Sequence, residues 1–300
     1  MDNKEFIKNR LLKDYEESVV ENILTGYKNK YTTLRVNTLK SNLEEVKEIL
    51  LKNNINYKSV SWYKDALIIE NAKEKDIRAL SIYEEGKIYL QNLSSMLPPL
   101  VVFPKEKESI LDMAAAPGGK TTELSALSNN NALITAIEKD KIRSDRLKYN
   151  LNKQGASRVT VLVEDASKLD DFFRFDKILL DAPCSGSGTI DLENISSYKN
   201  FSEDLIKKSI ERQKKLLLKA SKIIKSGGEI IYSTCSILKD ENENIVSLLL
   251  NNNDFEIVPL DENLFINIPK LPVTIKGTIC VCPNEFYEGF YLAKIKKIKK

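Results

Sequence analysis

The chain has 300 residues, 42% hydrophobic and 30% charged, with a net charge of +3, which allows one large domain plus a small one around a sizeable core. No apolar run approaches the roughly 20 residues of a membrane helix, and the opening "MDNKEFIKNR" lacks a signal peptide's apolar core, so a cytoplasmic protein is expected. Histidine is absent, which removes Ser-His-Asp and Cys-His hydrolases; four cysteines without zinc-site or disulfide spacing make a metal unexpected.

Along the chain, "EFIKNRLLKDYEESVVENILTGY" reads as helix from the 3–4 residue spacing of Phe6, Ile7, Leu11, Leu12 and Tyr15. "YTTLRVNT" is a short strand, and "SNLEEVKEILLKNN" a helix opened by Ser41 as N-cap with Glu44 three residues on. "ALIIE" is a second strand and "ALSIYEEG" a short helix ending at Gly86. These elements suggest a compact α/β module, and the stretch with Pro98, Pro99 and Pro104 reads as a linker. The division is therefore 1–100 for module and linker, and 101–300 for the main domain.

From Ser109 the pattern becomes strand–loop–helix: "SILDM", "ALITAIE", "VTVLVED", "KILLDAP" and "EIIYSTC" are apolar strands separated mostly by helical stretches. Such alternation implies a mostly parallel sheet covered on both faces, whose ligands sit beyond the carboxyl ends of the strands. The pair in "ICVC" sits in an alternating strand-like run, and the tail "AKIKKIKK" reads as a strand end followed by a solvated terminus.

The first strand leads into "DMAAAPGGK" (112–120), where small residues let backbone N–H groups approach a ligand. It is neither GxGxxG nor a P-loop. The second strand ends at Glu138, where doubly wound folds hold ribose hydroxyls, and the third at Asp165, a candidate for an adenine edge. Each acid alone is a helix cap or a solvated residue; together they favour an adenosine-containing cofactor. Cys184 and Cys235 are either small buried hydrophobes or reactive thiols. Each follows an apolar strand among small polar residues, and their 51-residue separation suits one crossover between adjacent parallel strands.

"DMAAAPGGKTT", "AIEKDKIRSDRLKYNLNKQG", "DAPCSGSG" and "YSTCSILKDENE" together resemble the RsmB/NOP2/Sun family of RNA cytosine-5 methyltransferases, with Ala114 where a cysteine is common. "LRVNTLK", "IYLQNLSSML" and "EGFYLAKI" extend the resemblance over nearly the whole chain from Leu34. The resemblance implies a Rossmann-like class I methyltransferase with a mostly parallel seven-stranded sheet and a small N-terminal RNA-binding module. It also implies S-adenosyl-L-methionine as cofactor, held by Ala114, Ala115, Ala116, Pro117, Gly118, Gly119, Lys120, Glu138, Arg143, Asp165 and Asp181. Cys235 would be the nucleophile adding to C6 of the base and Cys184 the residue aiding release, with Asp181 holding N3 and the amino group and Lys120 stabilising charge on the ring. Arg143 is read as pairing with a carboxylate at the cofactor pocket.

Residues 240–243, "DENE", are either a helix start or an acid cluster. The resemblance implies as substrate an extruded or single-stranded cytosine in RNA, with ribosomal RNA expected ahead of transfer RNA. Arg35, Lys40 and neighbouring lysines of the N-terminal module are candidate phosphate contacts, and the chain is expected to be a monomer. The rival readings are a DNA cytosine-5 methyltransferase, a non-catalytic ribosome-assembly protein on the same scaffold, and a nicotinamide oxidoreductase. Ser185 after Pro183-Cys184 disfavours the first, the intact Lys120, Asp181, Cys184 and Cys235 the second, and the loop pattern the third.

Overall fold

The structure, a computed structural model, describes residues 3–251 and 253–298; Met1 and Asp2 of the opening segment and the last two lysines of the basic tail lie outside them. Two helices come first, α1 (Asn3–Leu11) and α2 (Glu17–Gly26), where the spacing predicts a single one. Tertiary bonds break it: Tyr15 OH donates to Ile237 O at 2.5 Å, and Asp14 accepts from Arg10 and from Lys239 N. Both helices bury their apolar faces (Ile7, Leu11, Val20, Ile23) in the core of the large sheet.

A small module follows: β1 (Thr32–Val36), α3 (Leu43–Lys52), β2 (Tyr57–Val60), β3 (Tyr63–Ile69), α4 (Glu74–Arg78), α5 (Ser81–Glu84) and β4 (Ile88–Leu90). Its antiparallel sheet has the order β2-β3-β1-β4. Alternate residues Leu34, Val36, Leu67 and Ile69 meet Val46, Leu50, Ile77 and Ile82 of the helices in a core of their own. The cap of α3 is Asn42 rather than Ser41: Asn42 Oδ1 accepts from Glu45 N at 3.0 Å, and Ser41 Oγ donates to the Glu45 carboxylate.

The stretch read as a linker is instead α6 (Leu93–Val102), with Pro98 and Pro99 inside it. Asn92 caps it by accepting from Ser94 N, and Gln91 Nε2 donates to Ser95 O, the carbonyl that Pro99 has no N–H to reach. Leu93, Met96, Leu97 and Val102 are fully buried, so helix formation here is driven by burial in the main core.

The large sheet is built from β5 (Ser109–Asp112), α7 (Gly119–Leu127), β6 (Leu133–Ile137), α8 (Lys141–Gln154), β7 (Val159–Leu162), β8 (Phe175–Asp181), α9 (Glu203–Ile223), β9 (Ile224–Thr234), α10 (Glu243–Leu250), β10 (Phe255–Ile257), β11 (Lys270–Leu271), β12 (Ile279–Val281) and β13 (Phe290–Lys297). It has nine strands rather than seven, in the order β11-β12-β13-β9-β8-β5-β6-β7, with β10 also on β13. β7, β6, β5, β8 and β9 pair in parallel, whereas β13 runs antiparallel beside β9 and carries the remaining short strands. The fold is thus a class I methyltransferase-like α/β domain, extended at its antiparallel edge, plus the small module. Strand order reverses between β5 and β8, the place where open α/β sheets bind ligands. No helix among the described residues is long and apolar enough to cross a membrane.

Candidate active site

Four carboxylates and a thiol stand at the carboxyl ends of the parallel strands: Asp112 on β5, Glu138 after β6, Asp165 after β7, Asp181 on β8 and Cys235 after β9. Asp112 was overlooked in the sequence, although "SILD" ends as its neighbours do. It is 1% exposed; Oδ2 accepts from Thr121 Oγ1 at 2.7 Å, and Oδ1 has no partner. Burial pushes its pKa up to about 6, only partly offset by the Thr121 hydroxyl.

Glu138, also buried, accepts from Asp140 N at 2.9 Å and pairs with Arg143 at 3.3 Å; Arg143 also donates to Ala116 O at 2.9 Å. Arg143 thus ties the β6 carboxylate to the loop after β5. Asp165 accepts from Ser167 N and from Ser167 Oγ, at 3.0 and 2.7 Å, bonds that hold its pKa below the usual carboxylate value.

A cavity of about 620 Å³ opens at the β5/β8 reversal. Ala114, Ala115, Ala116, Pro117, Gly119, Lys120 and Asp181 line it, together with Asp112 and Ser95. Gly118, Glu138, Arg143, Asp165 and the two cysteines are not part of its wall. Gly118 has φ +107°, and a Cβ on it would stand 3.0 Å from Leu147 Cδ1, so this glycine serves the close approach of loop and α8.

Lys120 joins the two sides of the site. Its ammonium pairs with Asp181 Oδ2 at 2.8 Å and donates to Ser95 Oγ at 2.6 Å, 5.7 Å from the centre of the Phe290 ring. Burial pulls the lysine pKa down, but Asp181 outweighs it and leaves the group above its ordinary value. Ser233 Oγ donates to the other Asp181 oxygen at 2.8 Å.

Cys184 Sγ and Cys235 Sγ lie 3.1 Å apart, both half-buried and both free thiols. The loops that carry them are joined directly: Gly188 N donates to Cys235 O at 2.9 Å, and Gly289 N to Gly188 O at 2.8 Å. A Cβ on Gly188 would fall 2.0 Å from Gly289 O, so only glycine permits this approach. The hydrogen bond to Cys235, then burial and the nearby charges, hold the Cys184 thiol well above its ordinary pKa.

The "DENE" segment is both a short turn and a helix start, and its inward residues brace the cysteine loops. Asn242 Nδ2 donates to Ser236 O, and Asn242 Oδ1 accepts from Thr234 Oγ1. Glu241 accepts from Ser185 and Ser236, one residue beyond each cysteine. Gln213 of α9, which carries no sequence signal, donates from Nε2 to both Pro183 O and Glu241.

Arg35 departs from expectation. It is fully buried, donating to Gln91 Oε1 and Thr122 Oγ1 and standing 3.7 Å from Glu123, so it links β1 to α7 rather than standing on the surface as a phosphate contact would. Lys40 is exposed and donates to Glu85 O. A second cavity of about 630 Å³ shares Leu90, Gln91, Asn92 and Glu288 with the first, and Lys28, Lys30, Lys73, Lys75 and Tyr31 line it. Among the described residues no group of three or more His, Cys, Asp or Glu forms a metal site.

Residues 99–296 match the family model "16S rRNA methyltransferase RsmB/F", and residues 5–75 match its ferredoxin-like domain. The chain is 35% identical over 90% of its length to the tRNA (cytosine(49)-C(5))-methyltransferase of Pyrococcus abyssi, covering 89% of that protein. It is 33% identical over 89% of its length to ribosomal RNA small subunit methyltransferase F of Shewanella oneidensis, of which it spans only 57%. The crystal structure of PH0851 superposes with a TM-score of 0.88 at 34% identity, covering 97% of this chain and 65% of that one. The chain belongs to the RsmB/F methyltransferase family, a family of S-adenosylmethionine-dependent enzymes that methylate C5 of cytosine in ribosomal or transfer RNA.

Proposed function

We propose that this protein methylates C5 of one cytosine in RNA through a covalent adduct between Cys235 Sγ and C6 of the base. The observation that carries the reading is the pair of thiols 3.1 Å apart after β8 and β9, with Asp181, which pairs with Lys120 of α7, at the end of β8. Cytosine C5 is a poor nucleophile. Addition of a thiolate to C6 pushes electron density onto C5, which then takes the methyl group. When the C5 proton leaves to a base, the electrons of that C–H bond restore the C5–C6 double bond, and the C6–S bond breaks with its pair returning to Cys235. Cys184, as a thiol, donates a hydrogen bond to the departing sulfur. Asp181 accepts from the cytosine amino group, and the Lys120 ammonium beside it balances charge gathering on the ring.

S-adenosyl-L-methionine supplies an activated methyl group when bound. The strand ends fit it: the unpartnered, buried Asp112 Oδ1 suits an ammonium, Glu138 a ribose diol and Asp165 an adenine edge. The loop 114–120 and Asp181 would hold the remainder, and Arg143 fixes Glu138 against that loop.

RNA would dock across the N-terminal residues 1–100 onto the catalytic residues 101–300. Its phosphates would meet Lys28, Lys30, Lys73 and Lys75 in the second cavity, contacts that position rather than specify. A monomer suffices, since every group named comes from one chain. Ribosomal RNA is the first substrate to test and transfer RNA, the substrate in the name of the Pyrococcus abyssi relative, the second. The test is incubation of the protein with radiolabelled S-adenosylmethionine and each RNA class from cells lacking the enzyme, then mapping of 5-methylcytosine. Label at C5 of a single cytosine is expected; no label, or label on another atom, overturns the reading.

A further inference from the structure

Glu241 is fully buried, and no ion pair to it is seen among the described residues. Four donors take the place of a cation. Ser185 N and Gln213 Nε2 reach Oε1 at 2.8 and 3.0 Å; Ser185 Oγ and Ser236 Oγ reach Oε2 at 2.5 and 2.6 Å. The backbone amide and the glutamine NH₂ are obligate donors, so Oε1 is acceptor-only. Ser236 Oγ is itself engaged by Leu238 N and Ser187 Oγ, which turns its proton toward Oε2. This is the setting of a buried carboxylate held by charge-assisted bonds. Its donors come from both cysteine loops and from α9, and its own carbonyl takes the Tyr232 hydroxyl at 2.6 Å.

We propose that Glu241 is a positioning residue: it clamps the Cys184 loop to the Cys235 loop, sets the spacing of the two thiols, and places a negative charge on the Cys184 side of the pair. The charge acts in the direction the mechanism needs, because it favours the protonated thiol at Cys184. The other ionisable groups around that pair are Tyr232 on β9, Asp181 on β8 and Lys120 on α7. The role of the two thiols in turnover rests on the proposed function; the clamp itself does not.

Spacing is read without catalysis by oxidising the protein with oxidised dithiothreitol. The two thiols give up two electrons and two protons to form a Cys184–Cys235 disulfide, and the reagent becomes its dithiol. Peptide mass spectrometry follows the product and separates it from any product of Cys280 or Cys282. The parent protein is expected to form this disulfide readily. Glu241→Gln, whose amide cannot accept from the Ser185 donors and Ser236 on both of its atoms, is expected to slow it about tenfold while keeping its cooperative unfolding. In the methylation assay the same variant loses about tenfold in kcat, with RNA KM and cofactor Kd within about twofold, and accumulates adduct. The pH dependence of release moves to lower pH, which a merely structural role would not produce. Ser236→Ala, which removes one donor and leaves the carboxylate, gives a smaller effect in the same direction. Equal disulfide rates in parent and Glu241→Gln, or no 184–235 disulfide in either, overturn the clamp. A difference in disulfide rate with no methylation by the parent leaves the clamp standing and overturns the proposed function instead.

Discussion

At the ends of β6 and β7 the carboxylates take their donors from within five residues along the chain: Asp140 N and Arg143 for Glu138, Ser167 for Asp165. At the ends of β8 and β9 the partners are far apart in sequence, with Ser185 and Glu241 separated by 56 residues and Asp181 and Ser233 by 52. The first half of the sheet is therefore organised by local turns. In the second half, the reach of one thiol to the other depends on α9, on the 240–243 turn and on β13 being in place. Damage in the first half should act on cofactor binding, and damage in the second on turnover.

Lys120 joins the halves, since it starts on α7 and ends against Asp181, and its loss should have the largest effect. Lys120→Met removes the cation that we propose balances charge on the ring and should lower kcat by about 10²–10³-fold; single-turnover methyl transfer at saturating cofactor measures it. A parent-like rate would show that the two halves work independently.

Asp112 tests the first half through stability. Its folded pKa of about 6 lies above the ordinary 3.8, so the fold favours the protonated form. The stabilisation is complete below about pH 4 and is lost as pH rises through about 6, an amount of ~3 kcal/mol at 1.36 kcal/mol per pH unit. Asp112→Asn should lack that dependence. Denaturant unfolding without cofactor between pH 4 and 7 should show the parent losing stability relative to the variant as pH rises; parallel curves would contradict the assignment. The smallest effect is expected for Glu138→Gln, which should weaken cofactor binding about tenfold and leave the rate at saturating cofactor unchanged. Calorimetric titration together with kcat separates the two.

The same contrast explains what the sequence revealed. The strands that lead to Glu138, Asp165 and Asp181 were legible because apolar runs closing on an acid need only local chemistry, whereas the residues alone left Cys184 and Cys235 as either buried hydrophobes or reactive thiols, and their roles came only with the family resemblance. The break at residues 12–16 was hidden, because no Gly or Pro marks it and Tyr15 leaves the helix to bond a carbonyl 222 residues away. The α6 helix was hidden behind its two prolines, and the bond that Pro99 cannot make is replaced by a side chain from outside the helix. Arg35 looked like a surface cation, and only the packing of β1 on α7 buries it. Gln213 sits in a long amphipathic helix as one polar residue among many; its meaning comes from the carbonyl and carboxylate it faces.

The division of labour between the thiols is tested most directly by trapping. Cys184→Ala and Cys235→Ala proteins are incubated with S-adenosylmethionine and RNA from cells lacking the enzyme, and denaturing gels with mass spectrometry then show whether RNA stays attached. A covalent RNA adduct in Cys184→Ala, linked at Cys235, with none in Cys235→Ala, is the predicted result. An adduct only in Cys235→Ala would reverse the two roles, and no adduct in either under conditions where the parent methylates RNA would contradict the covalent mechanism.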